Sequence, residues 1–322
     1  MPPLVAWASR PWNTGKMPVP HLASKGFYKS LTVVTEGKDE RNMKLTNATA
    51  DIFVPDGTPL EAALARTTHL GIGAHQDDLE FMTVHGILTC FGQPDKSYCG
   101  VTCTDGAGSS RSGVYAAYTD DEMKAVRRVE QRTAAMVGRY GAILQLDFTS
   151  KQVKAQDNTP LVNDLYEILM ATRPQTVYTH APSDKHDTHV GVTRAAIAAI
   201  RRMPVADRPQ QVYGCEIWRD LDWLPDDRKV VLDVSERANI SAALSAVFDS
   251  QISGGKRYDE AVMGRRRAHA TFFESHAVDS ATLLSFAMDL TPVVQDDTLS
   301  LAAYTSSLID AMKADVVRRL GE

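Results

Sequence analysis

From His69 onward, short apolar runs alternate with segments of helical period, the pattern of repeated βαβ units wound around a parallel sheet. Strands are predicted over 69–74, 98–104, 142–148, 176–180, 211–218 and 229–234. Between them, Thr119 with Glu122 three residues later makes a capping box, Asp120 and Asp121 suit a helix's positive end, and Gly141 after Tyr140 predicts its stop. Met123, Val126, Val129, Ala134, Val137 and Tyr140 supply its apolar face. Thr159 and Pro160 predict the N-cap and first residue of a second helix, which ends before Arg173-Pro174. A third is expected over 190–202, stopped by Pro204, and later helices near 235–252, 258–275 and 297–320. There is no internal repeat and no low-complexity linker. The expected fold class is α/β, a mostly parallel sheet with a helical C-terminal portion. Residues 1–42, with Pro2, Pro3, Pro11, Pro18 and Pro20, are expected to be a loosely ordered extension, and residues 43–322 one domain.

Composition narrows the function classes. Of 322 residues, 43% are hydrophobic and 23% charged, which excludes wholesale disorder, collagen and a disulfide miniprotein. Lys plus Arg number 35 against 40 Asp plus Glu, and the net charge of −5 gives no general attraction to nucleic acid or anionic lipid. The run Arg265-Arg266-Arg267 is expected on a solvated helix face. No apolar run reaches the length of a membrane span, so neither nucleic acid nor a membrane is an expected partner. Four cysteines form no CxxC pair, and Cys99 and Cys103 on one strand stand about 13 Å apart, beyond the roughly 7 Å a disulfide tolerates. A reduced, cytoplasmic protein is expected.

Ligands in open parallel sheets bind beyond the carboxyl ends of the strands, so strand-end loops are where chemistry belongs. The 69–74 strand runs into His75-Gln76-Asp77-Asp78-Leu79-Glu80, one imidazole and three carboxylates in six residues. Like charges so close repel unless a cation or proton compensates, although an acidic helix N-terminus would look the same. The 176–180 strand ends in His180-Ala181-Pro182-Ser183-Asp184-Lys185-His186-Asp187-Thr188-His189, three of the chain's nine histidines with two aspartates. Any one of these residues is more often structural than a ligand. Two such clusters at strand ends of one sheet point instead to a metal site. His75, Asp78 and His189 would offer two nitrogens and one carboxylate oxygen, a catalytic zinc set with a fourth position for water. Asp77 is then the general base and His186 the donor to an oxyanion or leaving nitrogen, with Asp184 or Asp187 orienting its ring.

At these two segments the sequence resembles the zinc-dependent de-N-acetylase family typified by N-acetylglucosaminyl-phosphatidylinositol de-N-acetylase, the PIG-L or LmbE-like proteins. The family pattern Ala-His-Pro-Asp-Asp-Glu is similar to Ala74-His75-Gln76-Asp77-Asp78-Leu79, and its His-x-x-His to His186-Asp187-Thr188-His189. The resemblance runs from about Thr68 to Arg202. It implies a Rossmann-like sheet with helices on both faces, a Zn2+ or other divalent ion on His75, Asp78 and His189, Asp77 as base and His186 as acid or oxyanion partner. Thr104-Asp105-Gly106 with Arg111 resembles a segment whose arginine contacts substrate, so Asp105 and Arg111 are the expected substrate residues. It further implies an N-acetylated sugar substrate such as an N-acetylglucosamine derivative, and an oligomeric habit. The sequence departs from the pattern at Gln76, where loss of a proline predicts a less rigid loop, at Leu79, which displaces the acid to Glu80, and at Asp187-Thr188.

Rival readings are weaker. Gly71-Ile72-Gly73 and Asp105 imitate a dinucleotide site, but Gln76 stands where the third glycine belongs and the acidic pair would repel pyrophosphate. There is no Gly-x-Ser-x-Gly elbow, and Gly108 to Gly113 lacks a phosphate-loop lysine and is expected as an active-site rim. Some relatives in the family are hydratases, so hydration of a small carboxylic acid is the nearer alternative. Tyr115, Tyr118, Trp218 and Trp223 are candidates for stacking on a sugar, though core roles are commoner. His85, His180, His269 and His276 are expected to be structural, since no carboxylate completes a ligand set around them.

Overall fold

A computed structural model describes residues 43–321, so the expected 1–42 extension lies outside the described residues. Eight strands form one sheet: β1 (Asp51–Phe53), β2 (His69–Gly73), β3 (Tyr98–Thr104), β4 (Ala142–Phe148), β5 (Thr176–His180), β6 (Gln211–Cys215), β7 (Lys229–Asp233) and β8 (Leu284–Asp289), in the order β1-β4-β3-β2-β5-β6-β8-β7. The five central strands are parallel, while β1, β7 and β8 pair antiparallel at the two sides. The chain winds outward from β2 through β3 to β4, then returns to the other side of β2 as β5. The β2/β5 boundary is therefore the topological switch point, the place where an open α/β sheet parts its loops to make a crevice.

The parallel strands carry long buried runs because helices cover both faces. On one face Leu70, Ile72, Cys99, Val101, Leu144 and Leu146 meet the helices Thr159–Thr172 and Asp187–Arg202. On the other, Tyr98, Tyr140 and Ile143 meet Leu79, Met82 and Ala134. Gly71 and Gly73 point to this second face. A Cβ on Gly71 would lie 2.0 Å from the Tyr98 hydroxyl, and one on Gly73 would lie 3.2 Å from both Asp78 Cβ and a Leu79 methyl. The two glycines let the short helix Asp78–Met82 lie directly on β2, which is a packing role and not a phosphate-binding one.

The expected elements recur with small shifts. The Thr119–Glu122 capping box forms, but its helix, Asp120–Val137, ends at Gly138 and not at Gly141. The second helix is capped by Asn158, one residue earlier than expected. The 235–252 region breaks into Ala238–Ala246 and Asp249–Ile252, and Tyr258–Phe272 and Leu301–Leu320 follow. β1 and β8 are additions to the expected strands. Among the described residues no helix is long and apolar enough to cross a membrane.

The basic run is not a solvated face. Arg267 is exposed and Arg265 donates to the Ile217 carbonyl, but Arg266 is 2% exposed. Its guanidinium donates to the carbonyls of Glu80 (3.1 Å) and Phe81 (2.8 Å) and to Ser241 Oγ (2.6 Å), holding the far end of the helix that begins with Asp78. Burial pushes its pKa down to about 10. Arg266→Met strands two buried carbonyls but removes a desolvated charge. The expected net loss is on the order of 2 kcal/mol by urea denaturation, against less than about 0.5 kcal/mol for the exposed Arg267→Met.

Candidate metal centre and active site

β2 and β5 deliver their C-terminal loops to the switch point. Asp78 opens its helix with its carboxylate turned back, Oδ2 accepting the backbone N–H of His75 at 2.6 Å and of Ala74 at 3.1 Å. The loop after β5 brings His189 in from the first turn of Asp187–Arg202. Three donor atoms converge: His75 Nδ1 and Asp78 Oδ2 are 3.2 Å apart, His189 Nε2 and His75 Nδ1 3.2 Å, His189 Nε2 and Asp78 Oδ2 3.5 Å. Four ligands about 2.0–2.1 Å from a tetrahedral zinc stand about 3.4 Å from one another. The triangle thus has the edge lengths of a three-ligand face, with two nitrogens and one carboxylate oxygen, and the residues fit a divalent cation.

The electrostatics agree. Burial, together with His180 beside it, pushes His189 down to about 3, so its ring is neutral and keeps a lone pair for a metal. Burial opposes the charge on Asp78, yet the His180 and His75 rings hydrogen-bonded to it hold it well below the usual carboxylate range. Asp184 Oδ2 lies 3.4 Å from His189 Nδ1, the outer position from which a carboxylate orients a ligating imidazole.

Asp77 is buried beside Asp78 with φ of 99°, a backbone conformation that side-chain-bearing residues adopt at a cost of about 1–3 kcal/mol. What holds it there comes from the Asp120–Val137 helix. Gln131 Oε1 accepts the Asp77 N–H at 3.2 Å, and Arg127 Nη2 donates to Asp77 Oδ2 at 2.9 Å and to the Gln76 carbonyl. Arg127 is itself fixed by Glu130 (3.1 Å) and Ser250 (3.2 Å). Burial raises Asp77 to about 7 against the pull of Arg127.

Gln76 does not loosen the loop: its side chain is buried and donates to the Thr104 carbonyl at 3.0 Å. Glu80 turns away from the centre, accepting from Gln131 (2.8 Å) and Tyr140 (2.6 Å), and burial pushes it up to about 8.

His186 packs its ring 4.5 Å from that of His189 and 5.1 Å from that of His75, at the edge of the donor cluster, and its Nδ1 is buried without a partner. The orienting carboxylates differ from expectation. Asp187 is exposed, and Asp184 takes the backbone N–H of His186 (2.9 Å) and of Trp218 (3.1 Å) while its side chain faces His189, so neither orients the His186 ring. Asp105 pairs with Lys124 at 3.1 Å and accepts the Ala107 N–H, while Arg111 donates to the Ala107 carbonyl and to Asp120. Both belong to the loop after β3, outside the metal-donor cluster. Tyr115 is buried with its hydroxyl on Asp249 (2.6 Å), and Trp223 is half-buried against the core. Trp218 is 37% exposed and stacks 6.2 Å from His186.

Sequence reasoning missed His180, Arg127 and Gln131. His180 stacks 3.9 Å from His189, and its Nε2 lies 3.4 Å from Asp78 Oδ2, so Asp78, His180 and His189 make a second possible donor set, and His75, His186 and His189 a third. The Ala74 N–H, however, is shared between Asp78 Oδ2 (3.1 Å) and His180 Nε2 (2.9 Å) and engages the single lone pair of that nitrogen, which favours His75. Arg127 and Gln131 were legible as charged and polar residues on an otherwise apolar helical stripe.

The site is a carboxylate–imidazole cluster that could hold a metal ion, at the switch point of a mostly parallel α/β sheet, with a buried aspartate and a histidine flanking it. Residues 70–200 match the model of the PIG-L family, GlcNAc-PI de-N-acetylase. No curated protein matches the chain. Similar solved structures include a conserved protein of Thermus thermophilus (17% identity, 73% of this chain and 99% of that one, TM-score 0.54). The 4-carboxy-2-hydroxymuconate hydratase of Pseudomonas putida is similar at 17% identity, 70% of this chain and 96% of that one, TM-score 0.54. So is the N,N'-diacetylchitobiose deacetylase of Pyrococcus horikoshii, at 16%, 68%, 83% and 0.51.

Donor sets that include His75 and the set that includes His180 make different predictions. Full-length protein titrated with Zn2+ is expected to bind one equivalent at this centre. His75→Gln and His189→Gln should lose it, while His180→Gln, acting from outside the ligand set, should weaken it by about 10–100-fold and keep the stoichiometry. Loss of the site in His180→Gln with retention in His75→Gln reverses the assignment.

Proposed function

We propose that the protein is a zinc-dependent N-deacetylase that removes the acetyl group from the nitrogen of an amino sugar or related small glycoside. The observation that carries this reading is the triangle of His75, Asp78 and His189 donor atoms with Asp77 buried at its side. A divalent ion on those three ligands supplies Lewis acidity toward the amide carbonyl and acidifies water at neutral pH. The chain's own residues do the rest. Arg127 fixes Asp77 Oδ2, leaving Oδ1 to take the proton from the attacking water. His186, next to the proposed ligand rings, donates to the oxygen that becomes negative as the tetrahedral carbon forms, and as the C–N bond breaks the proton held on Asp77 passes to the departing amine. Arg111 and Asp105, on the rim, meet sugar hydroxyls or an anionic group, exchanging their present partners in the loop for the ligand.

The fold is shared by a hydratase and a deacetylase and does not choose between the reactions. The family match at 70–200, which spans both motifs, favours the amide. The four cysteines are all free and buried, which supports a reducing, cytoplasmic location.

The test is acetate release from a panel of N-acetylated amino sugars by the zinc-loaded protein. Chelator is expected to abolish release and added Zn2+ to restore it, while Asp77→Asn should lower kcat by about 100–10,000-fold. Full turnover by Asp77→Asn removes Asp77 as the base, and release that survives chelation removes the metal.

A further inference from the structure

The mouth of the centre holds an arrangement that the hydrolytic step does not use. Trp218 follows β6 and stacks on His186, and its backbone N–H is pinned by Asp184. Tyr258 meets the indole edge-on at 5.8 Å. Two ammonium groups from different loops converge on the same ring: Lys185 Nζ lies 6.0 Å and Lys256 Nζ 5.8 Å from the Trp218 centroid. The Lys256 loop also closes against the rim loop after β3, where a Cβ on Gly113 would lie 3.3 Å from the Ser253 carbonyl and one on Gly255 3.9 Å from Ser112.

These two lysines have no carboxylate partner among the described residues, although the chain carries an acid excess. Asp187 and Asp220 nearby are exposed, and neither pairs with these lysines, while other acids close to them are engaged elsewhere. Asp249 takes the Tyr115 and Ser253 hydroxyls, and Asp259 and Glu260 bind Arg257. Two ammonium groups held about one partly exposed indole repel each other, and contact with the ring offsets that only in part. An anion seated between them removes the repulsion, while the indole offers an apolar platform for the C–H face of a sugar ring.

We infer that Trp218, Lys185 and Lys256 form a subsite for a negatively charged substituent, a phosphate or a carboxylate, on the sugar whose amide is presented to the metal centre. This deepens the deacetylase reading and rests on it for the acyl group. The anion preference itself follows from the rim. The subsite makes the preferred substrate an anionic acetamido sugar rather than a neutral one.

The test is calorimetric binding to the full-length, chelator-treated protein, which reads affinity without turnover. The probes are N-acetylglucosamine, N-acetylglucosamine 6-phosphate and N-acetylmuramic acid, whose anion is a carboxylate. At least one anionic sugar is expected to bind about tenfold or more tightly than the neutral one, and the tighter of the two identifies phosphate or carboxylate. In Lys185→Ala/Lys256→Ala the anionic-to-neutral ratio is expected to fall to within about twofold of unity. Absence of saturable binding by both anionic sugars, equal affinity for all three in the unaltered protein, or a ratio that survives the double substitution overturns the inference. Acetate release is scored separately. An anion preference without acetate from any probe defeats the deacetylase reading alone, and acetate released equally from neutral and anionic sugars defeats the subsite alone.

Discussion

The structure depends on keeping two adjacent carboxylates, Asp77 and Asp78, out of water at the end of a buried strand. The effective penalty for burying an uncompensated ion is several kcal/mol, comparable to the whole stability of a domain. Asp77 is compensated within the chain by Arg127, itself 1% exposed and anchored by Glu130 and Ser250. Asp78 has no such cation. It has backbone N–H groups and imidazoles, and at least one of those rings, His189, is held neutral by its burial. The carboxylate the chain leaves without a permanent counter-charge is the one facing two imidazole nitrogens at ligand spacing. The distribution of compensation therefore supports the proposed division, with Asp78 as the ligand for a cation and Asp77 as the base, two adjacent residues with opposite duties.

That distribution also explains which parts were legible in the sequence. β2 to β6 could be read because a parallel strand buried on both faces must be a continuous apolar run, and the ligand motifs could be read because they interrupt those runs where the sheet ends. β8 is also an apolar run, residues 283–290, but it follows three helical segments and pairs antiparallel, so the alternation rule does not ask for it. The residues that hold the site in place were harder. Arg127 and Gln131 sit on the helical stripe that also buries Met123 and Ala134, and Arg266 lies within a basic run whose neighbour Arg267 is solvated. Periodicity places such residues inside without saying what they meet. Arg266 meets the carbonyls of residues 80 and 81, nearly two hundred positions away in sequence.

His180 shows the limit of spacing arguments from the other side. Spacing sets it aside because no neighbouring carboxylate completes a ligand set, yet the turn of Asp78–Met82 brings Asp78 Oδ2 to 3.4 Å. Proximity alone then overstates its role, since the Ala74 N–H already uses the nitrogen that a metal would need. An imidazole nitrogen, with its single lone pair, counts as a ligand only when that pair is unspent, whereas a carboxylate that accepts backbone N–H groups keeps further lone pairs; that is a statement about hydrogen bonds, which sequence does not display.

The departures from the family pattern carry the same lesson about function and its supports. Losing the proline at position 76 removes a ring that fixes one backbone torsion. In its place a buried amide reaches across to the end of β3, and the carbonyl of the same residue receives the guanidinium that also holds Asp77. Rigidity that a proline supplies locally is here supplied by tertiary contacts to β3 and to the Asp120–Val137 helix. Leu79, where the pattern has an acid, packs against Gly71 and Gly73 and seats the helix that begins with Asp78 on its strand. Each change swaps one means of positioning for another and leaves the ligating atoms in place. Geometry at the centre is thus constrained more tightly than the identity of the residues that enforce it.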